Sequence, residues 1–110
     1  MSDVETAVFF VLHWNDDVLD LREQIPLDRA ETRRIAAELG VPHPKDRHTD
    51  VDIVMTLDQL VDVRTTSGTL CVPVSCKTFE DLEDRRTLEK LEIERRYCQK
   101  RWGEWRLMTD

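Results

Sequence analysis

The sequence predicts an α/β protein in which helices flank a mixed β-sheet. Apolar side chains repeat at helical spacing in some segments and alternate with polar ones in others, which gives the order α, β, α, β, β, α, β. A short polar turn joins two consecutive predicted strands, as in a hairpin. The length of 110 residues fits one domain, so we assign residues 1–110 to a single domain.

The first two elements are a helix and a strand. Residues 2–14 have apolar side chains at helical spacing, which predicts a helix with one buried face. Ser2 and Glu5 have the spacing of a capping box, so the helix is expected to begin at Ser2. Residues 17–27 alternate apolar and charged side chains, which predicts a strand that ends near Pro26.

A second helix and a hairpin occupy the middle of the chain. Residues 28–40 predict a short helix that stops at Gly40. Residues 41–50 are rich in proline and charge and predict a loop. Residues 54–64 and 69–77 predict two strands joined by the turn "TTSG".

The C-terminal third predicts one or two helices and a last strand. The helical segment covers residues 78–103, with Thr78 and Thr87 as candidate N-caps and Gly103 as the stop. The segment 104–109 follows as a short strand.

Composition limits the function classes. The net charge of −7 gives no general attraction for DNA, so any nucleic-acid contact should be local, metal-assisted or delivered by a partner. Cys71, Cys76 and Cys98 lack the spacing of a zinc site and the even number of a disulfide framework, so we expect a reduced, cytoplasmic protein. The apolar run 7–12 is too short to span a bilayer, and no basic segment precedes it as in a signal peptide.

The hairpin carries the candidate chemistry. Ser75 and Lys77 are two residues apart, so they point to the same side of their strand. Asp58 lies on the preceding strand, close enough in a hairpin to share a ligand with them. Nucleases use an aspartate to hold Mg²⁺ and a lysine to orient the attacking water or stabilise the developing charge. A second acid from a helix would complete the metal shell, and Glu5 and Glu94 are the candidates.

Four segments of the chain resemble the catalytic domain of the TnsA family, the endonuclease subunit of heteromeric cut-and-paste transposases. The resemblance covers nearly all of the chain, and its most specific stretches are "LREQ" and "LEKLEIERRY". The matching segments are residues 3–27, "GVPHP" at 40–44, "VMTLD" at 54–58, and 86–110.

The resemblance implies a restriction-endonuclease-like fold and an Mg²⁺-dependent active site, with Mn²⁺ as a substitute. The family's helix glutamate, strand aspartate and residue-x-lysine pair fall on Glu5, Asp58, Ser75 and Lys77, and a further acidic position falls on Glu94. Catalysis is thus expected from Glu5, Asp58 and Lys77, and metal binding from Glu5, Asp58 and, weakly or through water, Ser75. The implied partners are double-stranded DNA, a transposase subunit and an ATPase regulator.

Two departures from the family pattern leave alternatives open. The family usually has glutamine where this chain has Ser75, so either a water fills the gap or the site binds metal poorly. Family members also usually carry further sequence on both sides of this domain. The chain is therefore either an excised domain or a short stand-alone relative of the kind seen in phage genomes.

Each site residue also has a structural interpretation. On this interpretation, Glu5 is only the N3 partner of a capping box, and Asp58 is only a solvated acid on a strand. Lys77 is an edge-strand gatekeeper, and Glu94 is a surface acid on a charged helix. Without the resemblance, we would favour the structural interpretation for Glu5, Lys77 and Glu94, whereas the two are balanced for Asp58.

Four other residues are interpreted structurally. His43 and His48 lie in the polar loop, where solvent exposure is favoured over metal binding. Trp102 and Trp105 are interpreted as core or interface anchors rather than platforms for DNA bases.

Three functional hypotheses result. The chain is the DNA-cutting subunit of a heteromeric transposase, a stand-alone nuclease of phage DNA processing, or a binding and assembly domain with a weakened site. Ser75 is the feature that supports the third hypothesis.

Overall fold

The computed structural model describes residues 17–109, and in them the predicted mixed α/β class is confirmed. The four strands form one sheet in the order β1-β2-β3-β4, antiparallel except for the parallel pair β3 and β4. The predicted helix at residues 2–14 lies outside the described residues. The elements are β1 (Val18–Pro26), α1 (Arg29–Leu39), β2 (Thr56–Thr65), β3 (Gly68–Cys76), a short 3₁₀ helix (Asp81–Glu83), α2 (Arg85–Trp102) and β4 (Arg106–Met108).

The predicted hairpin is confirmed as the pair β2 and β3. Its register runs from Thr65 opposite Gly68 to Gln59 opposite Val74. Gly68 has φ 134°, a backbone conformation that glycine adopts without a steric penalty, so it suits the end of this tight turn. The hairpin places the start of β2 beside the end of β3.

The two faces of the sheet bury different side chains. Leu60 pairs with Pro73 and the next residue, Val61, pairs with Val72, so these two pairs point to opposite faces. The face of Leu60 packs against both helices, whereas Val61 lies in a smaller apolar cluster with Val74 and Cys76. The main core consists of Leu27, Ile35, Ala36, Met55, Leu57, Leu60, Ile93, Tyr97 and Cys98.

The ends of α2 are set by capping residues. Asp84 is the N-cap, because its Oδ2 accepts a hydrogen bond from the backbone N of Thr87 at 3.1 Å. The prediction that Thr87 caps this helix was therefore wrong, since Thr87 lies inside the first turn. Thr78 is not a helix N-cap either, since Glu80 holds that position before the 3₁₀ helix, but the Oγ1 of Thr78 accepts a hydrogen bond from the backbone N of Asp81 at 3.1 Å. Gly103 ends α2 in the left-handed conformation, as predicted.

The loop between α1 and β2 is anchored by a buried histidine. His43 is 9% exposed, its Nε2 lies 2.8 Å from Thr32 Oγ1, and its Nδ1 lies 3.0 Å from the Pro44 carbonyl oxygen. Asp52 Oδ1 is 3.5 Å from the same Nδ1, and Asp52 Oδ2 pairs with Arg33 at 2.8 Å. We refer to Thr32, Arg33, His43 and Asp52 as the His43 cluster. The prediction that His43 is exposed was wrong, because its ring holds the loop onto α1.

Neither helix of the described part of the chain is long and apolar enough to cross a membrane.

Candidate active site

Asp58 lies in β2, where a backbone hydrogen bond holds its carboxylate. Its Oδ2 accepts from the backbone N of Cys76 at 2.7 Å, so the carboxylate is held at the end of β3. One step beyond the paired residues Gln59 and Val74, Asp58 is level with Ser75. Asp58 is half-buried.

Lys77 directly follows β3, at the same end of the hairpin. Its backbone N donates to the Met108 carbonyl oxygen at 3.0 Å, which ties this point of the chain to β4. Because β3 is hydrogen-bonded to β2 on one side and β4 on the other, it is an interior strand of the described sheet. The edge-gatekeeper interpretation of Lys77 was therefore wrong.

Glu94 is a buried acid in the middle of α2, so the surface-acid interpretation was also wrong. It is 6% exposed, and burial raises its pKa to about 8. The positive charge of Lys77 acts in the opposite direction, the negative charge of Asp58 raises the pKa further, and Lys90 lowers it. These electrostatic interactions place Glu94 in the same neighbourhood as Asp58 and Lys77.

A cavity of about 310 Å³ opens at this point, between α2, the end of β3 and the loop before β2. Its charged lining residues are Lys77, Asp81, Lys90 and Glu94. Sequence reasoning missed Lys90, although it precedes Glu94 by four residues and therefore lies on the same face of the helix. The apolar and hydroxyl-bearing part of the lining consists of Pro44, Ile53, Met55, Thr56 and Thr87.

Ser75 has a defined structural partner. It is fully buried, and its Oγ accepts a hydrogen bond from Trp105 Nε1 at 3.1 Å. The bond satisfies the indole donor of a half-buried side chain, as such groups usually require. Ser75 therefore connects β3 to the segment that enters β4.

The carboxylates form an incomplete set of metal ligands. Glu5 lies outside the described residues, and within 17–109 no group of three His, Cys, Asp or Glu side chains is placed to hold a metal ion. Asp58 and Glu94 are nevertheless adjacent acids of which one is buried and has a raised pKa. A divalent cation would offset both the free-energy cost of burying a charged Glu94 carboxylate and its repulsion by Asp58. Mg²⁺ is commonly bound by one or two protein carboxylates together with water and phosphate oxygens. Asp58 and Glu94 are thus ligands of the chemical type that such an ion takes.

The remaining sequence predictions concern aromatic residues and His48. Trp102 and Trp105 both pack against the main core, so their assignment as core anchors is confirmed. His48 is exposed, as predicted. The sequence analysis did not single out Tyr97. Its ring is buried and its hydroxyl accepts a hydrogen bond from the backbone N of Asp28 at 3.0 Å, so it offers no surface on which a DNA base could stack.

Comparison with known proteins identifies the family of the chain. Residues 15–110 match the family described as TnsA-like endonuclease N terminal. The chain is 46% identical to the Transposon Tn7 transposition protein TnsA of Escherichia coli, over a 111-position alignment that covers the whole chain. The chain belongs to the TnsA-like endonuclease family. It spans about 39% of the length of that curated relative.

Proposed function

We propose that the chain is the catalytic domain of a metal-dependent DNA endonuclease that cuts DNA at transposon ends, as one subunit of a heteromeric cut-and-paste transposase. The observation that carries the proposal is the grouping of three charged side chains at the end of the hairpin, where Lys77 and Glu94 line one cavity and the charge of Asp58 raises the pKa of Glu94. Family membership and the identity to a transposition protein support the transposase context.

The described residues would act in distinct ways. Asp58 and Glu94 would hold Mg²⁺, or Mn²⁺ in its place, together with Glu5 from the part of the chain that is not described. When bound, the ion supplies charge neutralisation of the phosphate and a lower pKa of the attacking water. The raised pKa of Glu94 favours its protonated form near neutral pH, and the carboxyl group would release that proton on becoming a metal ligand. Lys77 would donate to the oxygen on which negative charge develops.

Partner dependence follows from the charge of the protein. At a net charge of −7, the chain has no overall attraction for DNA, so we expect it to bind duplex more weakly than roughly 10 μM. A transposase partner would supply the missing attraction by raising the local DNA concentration at the site. An ATPase regulator is a further proposed partner of the assembly.

The test compares plasmid cutting by the purified chain with cutting by a mixture of the chain and its cognate transposase, each in Mg²⁺. We expect slow or absent cutting by the chain alone and rapid cutting by the mixture. Asp58→Ala should abolish the activity. Rapid cutting by the chain alone that is lost in Asp58→Ala would favour the stand-alone phage-type nuclease.

A binding and assembly domain with a weakened site is the second candidate. The observation that favours it is the hydrogen bond between Ser75 and Trp105, which engages the side chain at a position where the resemblance predicts a metal ligand. On this hypothesis, the mixture would assemble on DNA but leave it uncut in both Mg²⁺ and Mn²⁺.

A further inference from the structure

Gln24 has a strained backbone in the middle of β1. Its φ is 52°, in the left-handed region that side chains other than Asn and Asp rarely adopt. Asp50, at φ 58°, is the other described non-glycine residue of this kind. Asp50 has a local explanation, because Asp tolerates this conformation in turns and its backbone N donates to the Asp46 carbonyl oxygen at 2.9 Å. Gln24 has no such explanation, since it lies inside a strand.

The strain falls beside the candidate active site. In the register of β1 and β2, Glu23 pairs with Gln59 and Ile25 pairs with Leu57. Gln24 is therefore level with Asp58 on the neighbouring strand. Strained backbone persists where the surrounding structure enforces it, and such residues cluster at active sites and ligand-binding positions. The position of Gln24 next to Asp58 therefore points to a role in the site.

A side-chain hydrogen bond directs Gln24 towards the active-site cavity. Thr56 Oγ1 donates to Gln24 Oε1 at 3.3 Å. Thr56 and Asp58 are two residues apart in β2 and point to the same face, and Thr56 lines the cavity that holds Lys77. Since the amide oxygen is engaged by Thr56, the amide NH₂ of the exposed Gln24 is left as the group that can donate to a ligand.

We propose that Gln24 is a DNA-contacting residue, whose amide NH₂ donates to a phosphate oxygen of the strand that enters the cavity. The inference rests on the proposed function. A neutral donor suits this position, because it recognises phosphate without adding a charge beside Asp58. The residue belongs to the "LREQ" stretch, for which the Asp58, Lys77 and Glu94 chemistry gives no reason.

Three variants separate contact with DNA from an effect on folding. Gln24→Gly removes the amide and relieves the backbone strain, and Gln24→Asn keeps an amide on a shorter side chain that tolerates the left-handed region. Asp50→Gly relieves the same kind of strain far along the chain and serves as the matched control. Each protein is titrated against a fluorescent duplex in Ca²⁺ in place of Mg²⁺, and its melting temperature is measured.

For Gln24→Gly, we expect about tenfold weaker duplex binding, because a hydrogen bond to a charged group is lost, together with a melting temperature at or above that of the wild type. The salt dependence should keep its slope, since a neutral amide releases no counterion. Gln24→Asn should regain part of the affinity, and Asp50→Gly should bind as the wild type does.

Wild-type affinity in Gln24→Gly would overturn the inference and leave the proposed nuclease intact. Weaker binding accompanied by a lower melting temperature, without rescue by Gln24→Asn, would assign Gln24 a structural role and also overturn it. A wild-type chain that shows no saturable duplex binding, and no cutting with its cognate transposase, would overturn the proposed function itself.

Discussion

The loop before β2 contributes residues to both the His43 cluster and the active-site cavity, and these two regions differ in how they stabilise acidic side chains. In the His43 cluster, the Asp52 carboxylate has Arg33 as a counter-ion at 2.8 Å, and both ring nitrogens of His43 face oxygen atoms. In the cavity, Glu94 is buried beside a second acid, and the nearby lysines do not offset the effect of burial on its pKa. The His43 cluster pairs its acid with a counter-ion, whereas the cavity keeps an imbalance of charge that a ligand can relieve.

Lys77→Ala should have the largest effect on function. Its charge acts on the transition state, so we expect the cleavage step in the transposase mixture to slow by about 10²-fold or more while metal binding persists. Single-turnover cutting of plasmid measures the rate. Lys100→Ala is the matched control, because Lys100 is exposed on α2 and pairs with Glu31. Unchanged cutting by Lys77→Ala would remove the lysine from the mechanism.

Glu94→Gln should change how stability depends on pH. The wild-type Glu94 has a folded pKa of about 8, above its model-compound value of 4.5, so the unfolded chain binds fewer protons between these values. Wild-type stability should therefore fall as pH rises through this window, by roughly 2 kcal/mol or more. The neutral glutamine lacks this contribution. Urea unfolding at several pH values, without divalent metal, measures the difference, and parallel pH profiles would contradict the burial of an uncompensated acid.

Thr32→Val should have a smaller effect, confined to stability. It removes the hydroxyl that contacts His43 and donates to the Arg29 carbonyl oxygen, at little change in volume. We expect a loss of about 1–2 kcal/mol, because buried polar partners are left unsatisfied. Cutting by the folded protein should be unchanged. A loss of cutting by the fully folded variant would show that the His43 cluster belongs to the active site.

The sequence predicted the sheet well because its strands have clear periodicity. The alternation of apolar and charged residues in "DVLDLREQIPL" predicted β1, and the turn that ends at Gly68 predicted the hairpin of β2 and β3. Both features depend only on local sequence. The cap of α2 was missed because Asp84 and Thr87 are both good N-cap residues, and only the backbone conformation distinguishes them.

The burial of polar residues was not predictable from the sequence. His43 and Glu94 lie in charged, polar segments, and each is buried by elements distant along the chain. Lys90 was overlooked because a lysine on a charged helix has no distinguishing pattern until the cavity is seen. Asp58 and Lys77 could be identified because the hairpin register follows from local sequence, which places them at the same end of β2 and β3.

We propose that Asp58 and Glu94 belong to one cation site, and the effect of Mg²⁺ or Mn²⁺ on the melting temperature tests this proposal directly. A metal that binds only the folded protein stabilises it, by about 1.4 kcal/mol at tenfold its Kd, which is a rise of several degrees for a domain of this size. We predict this rise for the wild type and for the control Thr32→Val, and its loss in Asp58→Ala. An equal rise in Asp58→Ala would show that the metal binds elsewhere and would contradict the account.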